Sequence, residues 1–177
     1  MFKLNNFSDD DTILLKKANF DITPKQVIIS SILKFILIHK KSRDLDIKSD
    51  TKEIIQTSKI GLKLEIHHII PLAEYKKIGE STKVLRQDKT NFMNCVGNLT
   101  LITNSANGNL SSLNPSQYFS YLEEKFNDNG TILETHCISN TIYNINYSNE
   151  NEIKDFIENR YKAMKNYIST TIENFLN

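Results

Sequence analysis

The chain has 177 residues, of which 39% are hydrophobic and 24% charged, a composition typical of a globular protein with one core. Its net charge of +1 excludes a strongly basic protein that binds nucleic acid through overall charge, so any such contact must be local or supplied by a partner. Cys95 and Cys137 stand far apart and form no CxxC pair, which excludes a four-cysteine zinc ribbon and a disulfide framework.

Residues 1–60 are predicted to form an N-terminal helical region. Three aspartates, 9–11, precede a short helical pattern, and Thr23 and Pro24 are typical of the start of a second helix. This second helix is apolar on nearly all sides, so we expect it to be buried. Its apolar run, 27–38, is too short to cross a bilayer, and the N-terminus lacks the apolar core of a signal peptide. These features predict a cytoplasmic protein with no membrane segment.

Residues 61–126 contain two extended segments separated by a polar insertion. The first, LKLEIHHIIPLA, starts at Leu62 and ends near Pro71; the second lies in NCVGNLTLIT, which is rich in β-branched residues. The insertion, 73–93, has a short helical pattern near Thr82–Gln87. A further helix is predicted in NPSQYFSYLEEKF, with Pro115 in its first turn.

Residues 127–177 are predicted to contain extended segments and a long helix that pack on the core, so that the three regions form one compact domain. A turn at NDNG precedes TILETHCIS and TIYNINYS, which we interpret as short strands or extended segments. The helix is predicted from about Asn151 to Leu176, because its apolar residues recur at helical spacing.

The adjacent histidines in HHIIP are the first candidates for chemistry. In a regular strand His67 and His68 point to opposite faces, so both can serve one site only if the chain bends near Pro71. Imidazole, with an ordinary pKa of about 6.5, is a natural general base near neutral pH.

The segments HHIIP, NCVGNLTLIT and NSANGNLSSLNPSQYF resemble the signature of HNH nucleases. Asn98 stands in the central Asn-Leu pair, and Asn107 follows at the spacing where that family places its last metal ligand. Together with IKDFIENRYKAMKNYI, these segments more narrowly resemble the C-terminal nuclease domain of GmrSD-type modification-dependent restriction systems. The resemblance covers roughly residues 60–170.

This resemblance implies an α+β fold, mainly helical, with a small ββα-metal HNH core at 61–126. It implies a metal-dependent endonuclease that hydrolyses DNA. His67 and Asn107 would bind the metal, His68 would be the general base that activates water, and Asn98 would hold the loop by hydrogen bonds to the main chain.

The same resemblance implies a divalent cofactor and a role in restriction or antiviral defence. The cation implied is Mg²⁺ or Mn²⁺. Many HNH proteins have an acid at the position of His67, and two neutral ligands suit Mg²⁺ less well than an acid would, while imidazole is compatible with Mn²⁺, Ni²⁺ or Zn²⁺. The partners implied are DNA and either a ParB-like subunit or a second copy of the chain. Lys83, Arg86 and Lys89 in the insertion are candidate phosphate contacts, although interleaved acids also fit a solvated surface.

Several alternatives stay open at the level of sequence. Asn109 competes with Asn107 as a ligand, and Glu65 is either a partner that orients His67 or, as we favour, an exposed strand glutamate. The HNH site could be degenerate in a subunit that binds nucleic acid or a partner protein, and an active enzyme could act on RNA or only nick DNA.

Overall fold

The computed structural model describes residues 24–48, 64–75, 81–88, 90–110 and 113–176. The protein is mainly helical with a small sheet, as the sequence predicts. The described elements, in chain order, are α1 (Pro24–His39), β1 (Leu64–His68), α2 (Leu72–Tyr75), α3 (Thr82–Gln87), two 3₁₀ turns (Phe92–Asn94 and Val96–Asn98), β2 (Leu99–Thr103), α4 (Asn104–Leu110), α5 (Pro115–Phe126), α6 (Thr131–Thr135), a 3₁₀ turn (Asn140–Tyr143) and α7 (Glu150–Leu176).

The two strands and α4 form a ββα unit. β1 and β2 pair antiparallel, with His67 opposite Thr100 and His68 opposite Leu99. α4 starts directly after β2, where the Thr103 hydroxyl accepts a hydrogen bond from the Ala106 amide at 3.1 Å. The Thr103 amide in turn donates to Asp44 Oδ1 at 3.0 Å, which fixes the start of α4 against the segment that follows α1.

β2 is buried along its whole length because hydrophobic residues pack on both of its faces. On one face, Leu99 and Leu101 join a cluster that includes α1 and α7. On the other face, Ile102 belongs to a cluster formed with α5, α6 and the first half of α7. The first cluster contains Leu33, Leu37 and Met164. The second contains Phe119, Leu122, Ile132 and Ile153.

The helix α1 is buried on one side only, so the expectation that it would be buried all round was wrong. Ile29 and Leu33 lie in the core, whereas Ile28 is 56% exposed and Phe35 is 40% exposed. The reason is geometric: α1 rests on β2 and α7, and these two elements cover one face of a helix. The predicted helix that follows the three aspartates, and the cap at Thr23, lie outside the described residues.

The prediction of extended segments in TILETHCIS and TIYNINYS was also wrong. The first segment contains α6 and the second begins in a 3₁₀ turn. Local hydrogen bonding outweighs β propensity here, because Asp128 Oδ2 accepts from the Ile132 amide at 2.9 Å and Gly130 takes a positive φ of 87° at the N-cap. Ile132 and Ile142 then reach the core from these short helical turns.

The remaining helix predictions are confirmed. α3 has the predicted bounds, and α7 begins one residue before Asn151 and ends at Leu176. α5 begins at Pro115 with a capping box formed by Asn114 and Gln117. Within the described part of the chain, no helix is both long and apolar enough to span a membrane.

Candidate active site

His67 and His68 line the same cleft at the end of β1, although neighbouring side chains of a strand start on opposite faces. The cleft has a volume of about 390 Å³, and Pro71, Arg86 and Asn107 also line it. The chain bends directly after His68 and α2 begins one residue after Pro71, so the cleft includes the end of the strand. The structure therefore brings both histidines to one site, each held by a different asparagine.

His67 is buried, at 8% exposed, and it contacts Asn107 of α4. Its Nδ1 lies 3.0 Å from Asn107 Oδ1, and Asn107 Nδ2 donates to Glu65 Oε2 at 2.9 Å. Since the Asn107 amide nitrogen donates to Glu65, the Asn107 amide oxygen faces His67 and accepts a hydrogen bond from Nδ1–H. Nε2 of the neutral ring then carries the lone pair, and this buried atom has no hydrogen-bond partner among the described residues.

Glu65 is a half-buried part of the site rather than the solvated strand residue that the sequence favoured. Its two carboxylate oxygens accept hydrogen bonds from Asn107 Nδ2 and Asn104 Nδ2, both at 2.9 Å. The carboxylate thus orients Asn107, which in turn contacts His67. This arrangement links the ring of His67 on β1 to the first two turns of α4.

His68 is oriented by Asn94, a buried residue for which no role was predicted from the sequence. Asn94 Nδ2 donates to the carbonyls of Leu85, at 2.7 Å, and Asp88, at 2.9 Å, so its Oδ1 accepts from His68 Nε2 at 3.0 Å. The neutral ring therefore has its proton on Nε2 and its lone pair on Nδ1. Burial lowers the pKa of His68 to about 4, which keeps the ring neutral at pH 7.

Asn98 lies beneath the cleft and is fully buried. Its Oδ1 accepts from the Ile70 amide at 2.9 Å, and its Nδ2 donates to the carbonyls of Ile70, at 3.1 Å, and Met93, at 3.0 Å. Its own carbonyl accepts from the Ile69 amide at 2.8 Å. Asn98 therefore ties the chain just after the histidine pair to the turn before β2.

The three candidate phosphate contacts have different positions. Arg86 is exposed and lines the cleft, whereas Lys83 is exposed on the same helix without lining it. Lys89 lies outside the described residues. Of the two candidates that the structure describes, Arg86 is therefore the one that lies in the cleft with the histidines.

Asn109, the competing ligand, is held away from the cleft. Its Nδ2 donates to Asp46 Oδ1 at 2.8 Å, and Asp46 Oδ2 accepts from the Ser105 hydroxyl at 2.6 Å. Asp46 thus fixes the face of α4 that points away from β1. Of the two asparagines considered, the structure places Asn107 beside His67.

The described residues contain no cluster of three or more His, Cys, Asp or Glu side chains arranged to hold a metal ion. The predicted ligand pair is of a different type, since it combines one imidazole with one amide. His67 Nδ1 and Asn107 Oδ1, 3.0 Å apart, nevertheless fit a cation, because two ligand atoms each about 2.1 Å from one ion lie at such a separation and the ring proton can move to Nε2, which has no partner among the described residues.

A family model described as GmrSD restriction endonucleases, C-terminal domain, matches residues 7–167 of the chain. The matched segment contains all the site residues described above. No curated protein and no solved structure matches the chain.

Proposed function

Because the chain belongs to the family of GmrSD restriction endonuclease C-terminal domains, we propose that it is a metal-dependent HNH endonuclease that hydrolyses DNA phosphodiester bonds. One observation carries the proposal. Two neutral imidazoles line a single cleft, and Nδ1 of the buried one lies 3.0 Å from the amide oxygen of Asn107, as two ligand atoms of one cation would. A nuclease of this type needs one such group for a cation and another for water.

His67 and Asn107 are the residues that would hold the divalent ion. Both are neutral, so the full charge of Mg²⁺ or Mn²⁺, or of Ni²⁺ or Zn²⁺, would be available to phosphate. When bound, the ion supplies neutralisation of the phosphate charge and stabilises the leaving oxygen. Glu65 supports this role, because it turns the amide oxygen of Asn107 towards His67.

His68 is proposed to remove the proton from the attacking water. Its lone pair is on Nδ1, since Nε2–H donates to Asn94, and a neutral ring is the form that can accept a proton. The low pKa of about 4 describes the cleft without DNA. A phosphate anion in the cleft favours the protonated form of the ring, and a cation bound at His67 opposes it.

Asn98 is proposed to act through the main chain rather than on the substrate. Its side chain fixes both polar groups of Ile70, two residues after His68, and so sets the bend that brings both rings into the cleft. Arg86 is proposed to contact the phosphate, because its exposed side chain lines the cleft beside the histidines. Lys83 is proposed to contact the DNA backbone from the same helix.

The biological role that we propose is restriction of foreign DNA in antiviral defence, as the description of the family suggests. Cleavage of both strands needs either two sites or a repositioning of the enzyme. A second copy of the chain would supply a second cleft, and a ParB-like partner subunit would make the chain one half of a split restriction system.

The test is cleavage of supercoiled plasmid, linear duplex and RNA by the wild-type chain and by His68→Ala, with Mg²⁺ or Mn²⁺. Loss of the general base should lower the rate by about 10²–10⁴-fold. His39→Ala is the matched control, since His39 is an exposed histidine at the end of α1 and contacts Tyr167 instead of the cleft. Full activity of His68→Ala would refute the assignment, and inactivity of the wild type on all three substrates would refute the proposed function.

A further inference from the structure

Arg160, in the middle of α7, is a cation buried in the protein at 3% exposed. Its Nε donates to the carbonyl of His136 at 3.1 Å. Its Nη1 donates to the carbonyls of Val96, Gly97 and Leu99 at 3.2, 2.9 and 2.8 Å. Within the described residues, all of its hydrogen bonds thus go to neutral main-chain oxygens.

Burial of a guanidinium has a large free-energy cost unless its N–H groups are hydrogen-bonded. The burial of Arg160 therefore calls for an explanation. Burial lowers the pKa of Arg160 to about 10, and the side chain therefore stays protonated at neutral pH. The charge draws three carbonyls of one short turn towards a single nitrogen. Hydrogen bonds that involve a charged donor are stronger than neutral ones, so the turn is held firmly.

The three carbonyls surround Asn98 in the chain. Val96 and Gly97 come directly before it and Leu99 directly after it, so Arg160 holds the main chain on both sides of that residue. On the other side of the turn, the Asn98 side chain forms hydrogen bonds with the amide and the carbonyl of Ile70. The main-chain carbonyl of Asn98 accepts a hydrogen bond from the Ile69 amide. A continuous set of hydrogen bonds therefore runs from α7 through the turn to the end of β1.

Gly97 provides an independent sign that the turn and α7 are closely fitted. A Cβ atom at this position would lie 2.3 Å from the carbonyl oxygen of Ile157, which is less than real Cβ contacts allow. Ile157 lies one helical turn before Arg160. The turn therefore rests on α7 at two neighbouring places, one steric and one formed by hydrogen bonds.

We propose that Arg160 is a positioning residue for catalysis, which holds the Val96–Leu99 turn and, through Asn98, the end of β1 in the geometry that presents His68 to the phosphodiester. The proposal rests on the nuclease function above. It assigns to the C-terminal helix a direct part in setting the active site. A merely structural Arg160 would support folding and leave the turnover of the folded enzyme unchanged.

The experiment compares Arg160→Ala and Arg160→Lys with the wild type below their unfolding temperatures. We expect kcat for plasmid cleavage to fall about 10- to 100-fold in Arg160→Ala, with KM for DNA little changed, because a small displacement of a catalytic group has an effect of this size. Added methylguanidinium, which can donate to the same carbonyls, should restore part of kcat. Arg160→Lys keeps the charge and should retain more activity than Arg160→Ala.

Ile142→Ala is the matched control for lost stability, since Ile142 is fully buried in a 3₁₀ turn that carries no site residue. Its kcat should stay near the wild-type value and should not respond to methylguanidinium. An unchanged kcat in folded Arg160→Ala, or an equal loss in Ile142→Ala, would overturn the proposal.

A second readout does not need activity. In NMR spectra of Arg160→Lys, the side-chain amide of Asn98 and the Nε2–H of His68 should shift and exchange faster with solvent than in the wild type. Unchanged resonances would overturn the positioning role even in an active enzyme. If the wild type cleaves no DNA, the nuclease assignment fails, and these resonances alone decide whether Arg160 sets the position of His68.

Discussion

At the scale of single residues, two asparagines determine the protonation of the histidine pair. Asn107 accepts from His67 Nδ1 and Asn94 accepts from His68 Nε2, because each amide nitrogen is already committed to other oxygens. The neighbouring rings therefore have opposite tautomers, with the lone pair on Nε2 in His67 and on Nδ1 in His68. The dipeptide His67-His68 thus supplies two imidazole rings that carry their lone pairs on different nitrogens.

Glu65→Gln tests the orientation of Asn107. A glutamine has one oxygen and one NH₂ group, so it cannot accept from Asn107 and Asn104 as the carboxylate does. We expect the Mn²⁺ concentration that gives half-maximal cleavage to rise about 10- to 100-fold, as is typical when a residue that orients a metal ligand is changed. Titration of cleavage with Mn²⁺ measures this shift.

Asn104→Ala is the control for that variant. It removes the other hydrogen bond to Glu65 and leaves the one to Asn107 in place, so the Mn²⁺ dependence should stay close to the wild type. Equal shifts in the two variants would show that Glu65 acts through general stability and does not orient Asn107.

At the scale of elements, the contact between α7 and the turn before β2 depends on Gly97. Gly97→Ala would place a methyl group against the Ile157 carbonyl, and one of the two backbones must move. We expect the free energy of unfolding to fall by about 1–3 kcal/mol, as for other overpacked sites, together with a loss of cleavage. Urea denaturation measures the first effect.

Gly108→Ala serves as the comparison because no atom lies within 4 Å of the Cβ that it would add. Gly108 is exposed within α4, so alanine should raise the free energy of unfolding by about 0.5–1 kcal/mol through helix propensity. A similar loss of stability in both variants would contradict the close approach at Gly97.

Element prediction succeeded where a repeating pattern or a cap defines the structure. The helical spacing of the apolar residues gave α7 to within one residue, and Pro115 marked the start of α5. It failed at Thr131–Thr135, where β-branched residues favoured a strand but a hydrogen bond from the Ile132 amide to Asp128 and the burial of Ile132 in the core stabilise a helix. No described strand is available there for pairing, which the sequence does not reveal.

Part of the candidate site could also be predicted from local sequence patterns. His67, His68, Asn98 and Asn107 stand in recognisable local motifs, and the structure places them in or beneath one cleft. Residues that orient them were missed because their partners are remote in sequence: His68 and Asn94 are 26 residues apart, and Arg160 and Gly97 are 63 apart.

At the scale of the whole molecule, buried neutral histidines make stability depend on pH. His136 is fully buried: its Nε2–H donates to the Arg43 carbonyl at 2.8 Å, and its Nδ1 lies 3.1 Å from the Thr100 hydroxyl. Burial lowers the pKa of His136 to about 4 from the ordinary 6.5. Between these values the unfolded chain binds the proton and the folded chain does not, so stability falls as the pH falls.

This histidine alone should lower the free energy of unfolding by about 2 kcal/mol between pH 7.5 and pH 5. Urea denaturation at both pH values measures the loss, and His136→Gln should reduce it because the amide keeps the donor to Arg43 without titrating. Buried Asp44, whose pKa is raised by burial, is present in both proteins and cancels in the comparison. An equal pH dependence in the variant would contradict the assignment.

The most direct test of the account is a crystal structure of the protein with Mn²⁺ and a DNA duplex, in which anomalous scattering locates the ion. The account predicts one strong peak within bonding distance of both His67 and Asn107, with the His68 ring facing the phosphate beside it. A peak bound elsewhere, or none between these two side chains at saturating Mn²⁺, would contradict it.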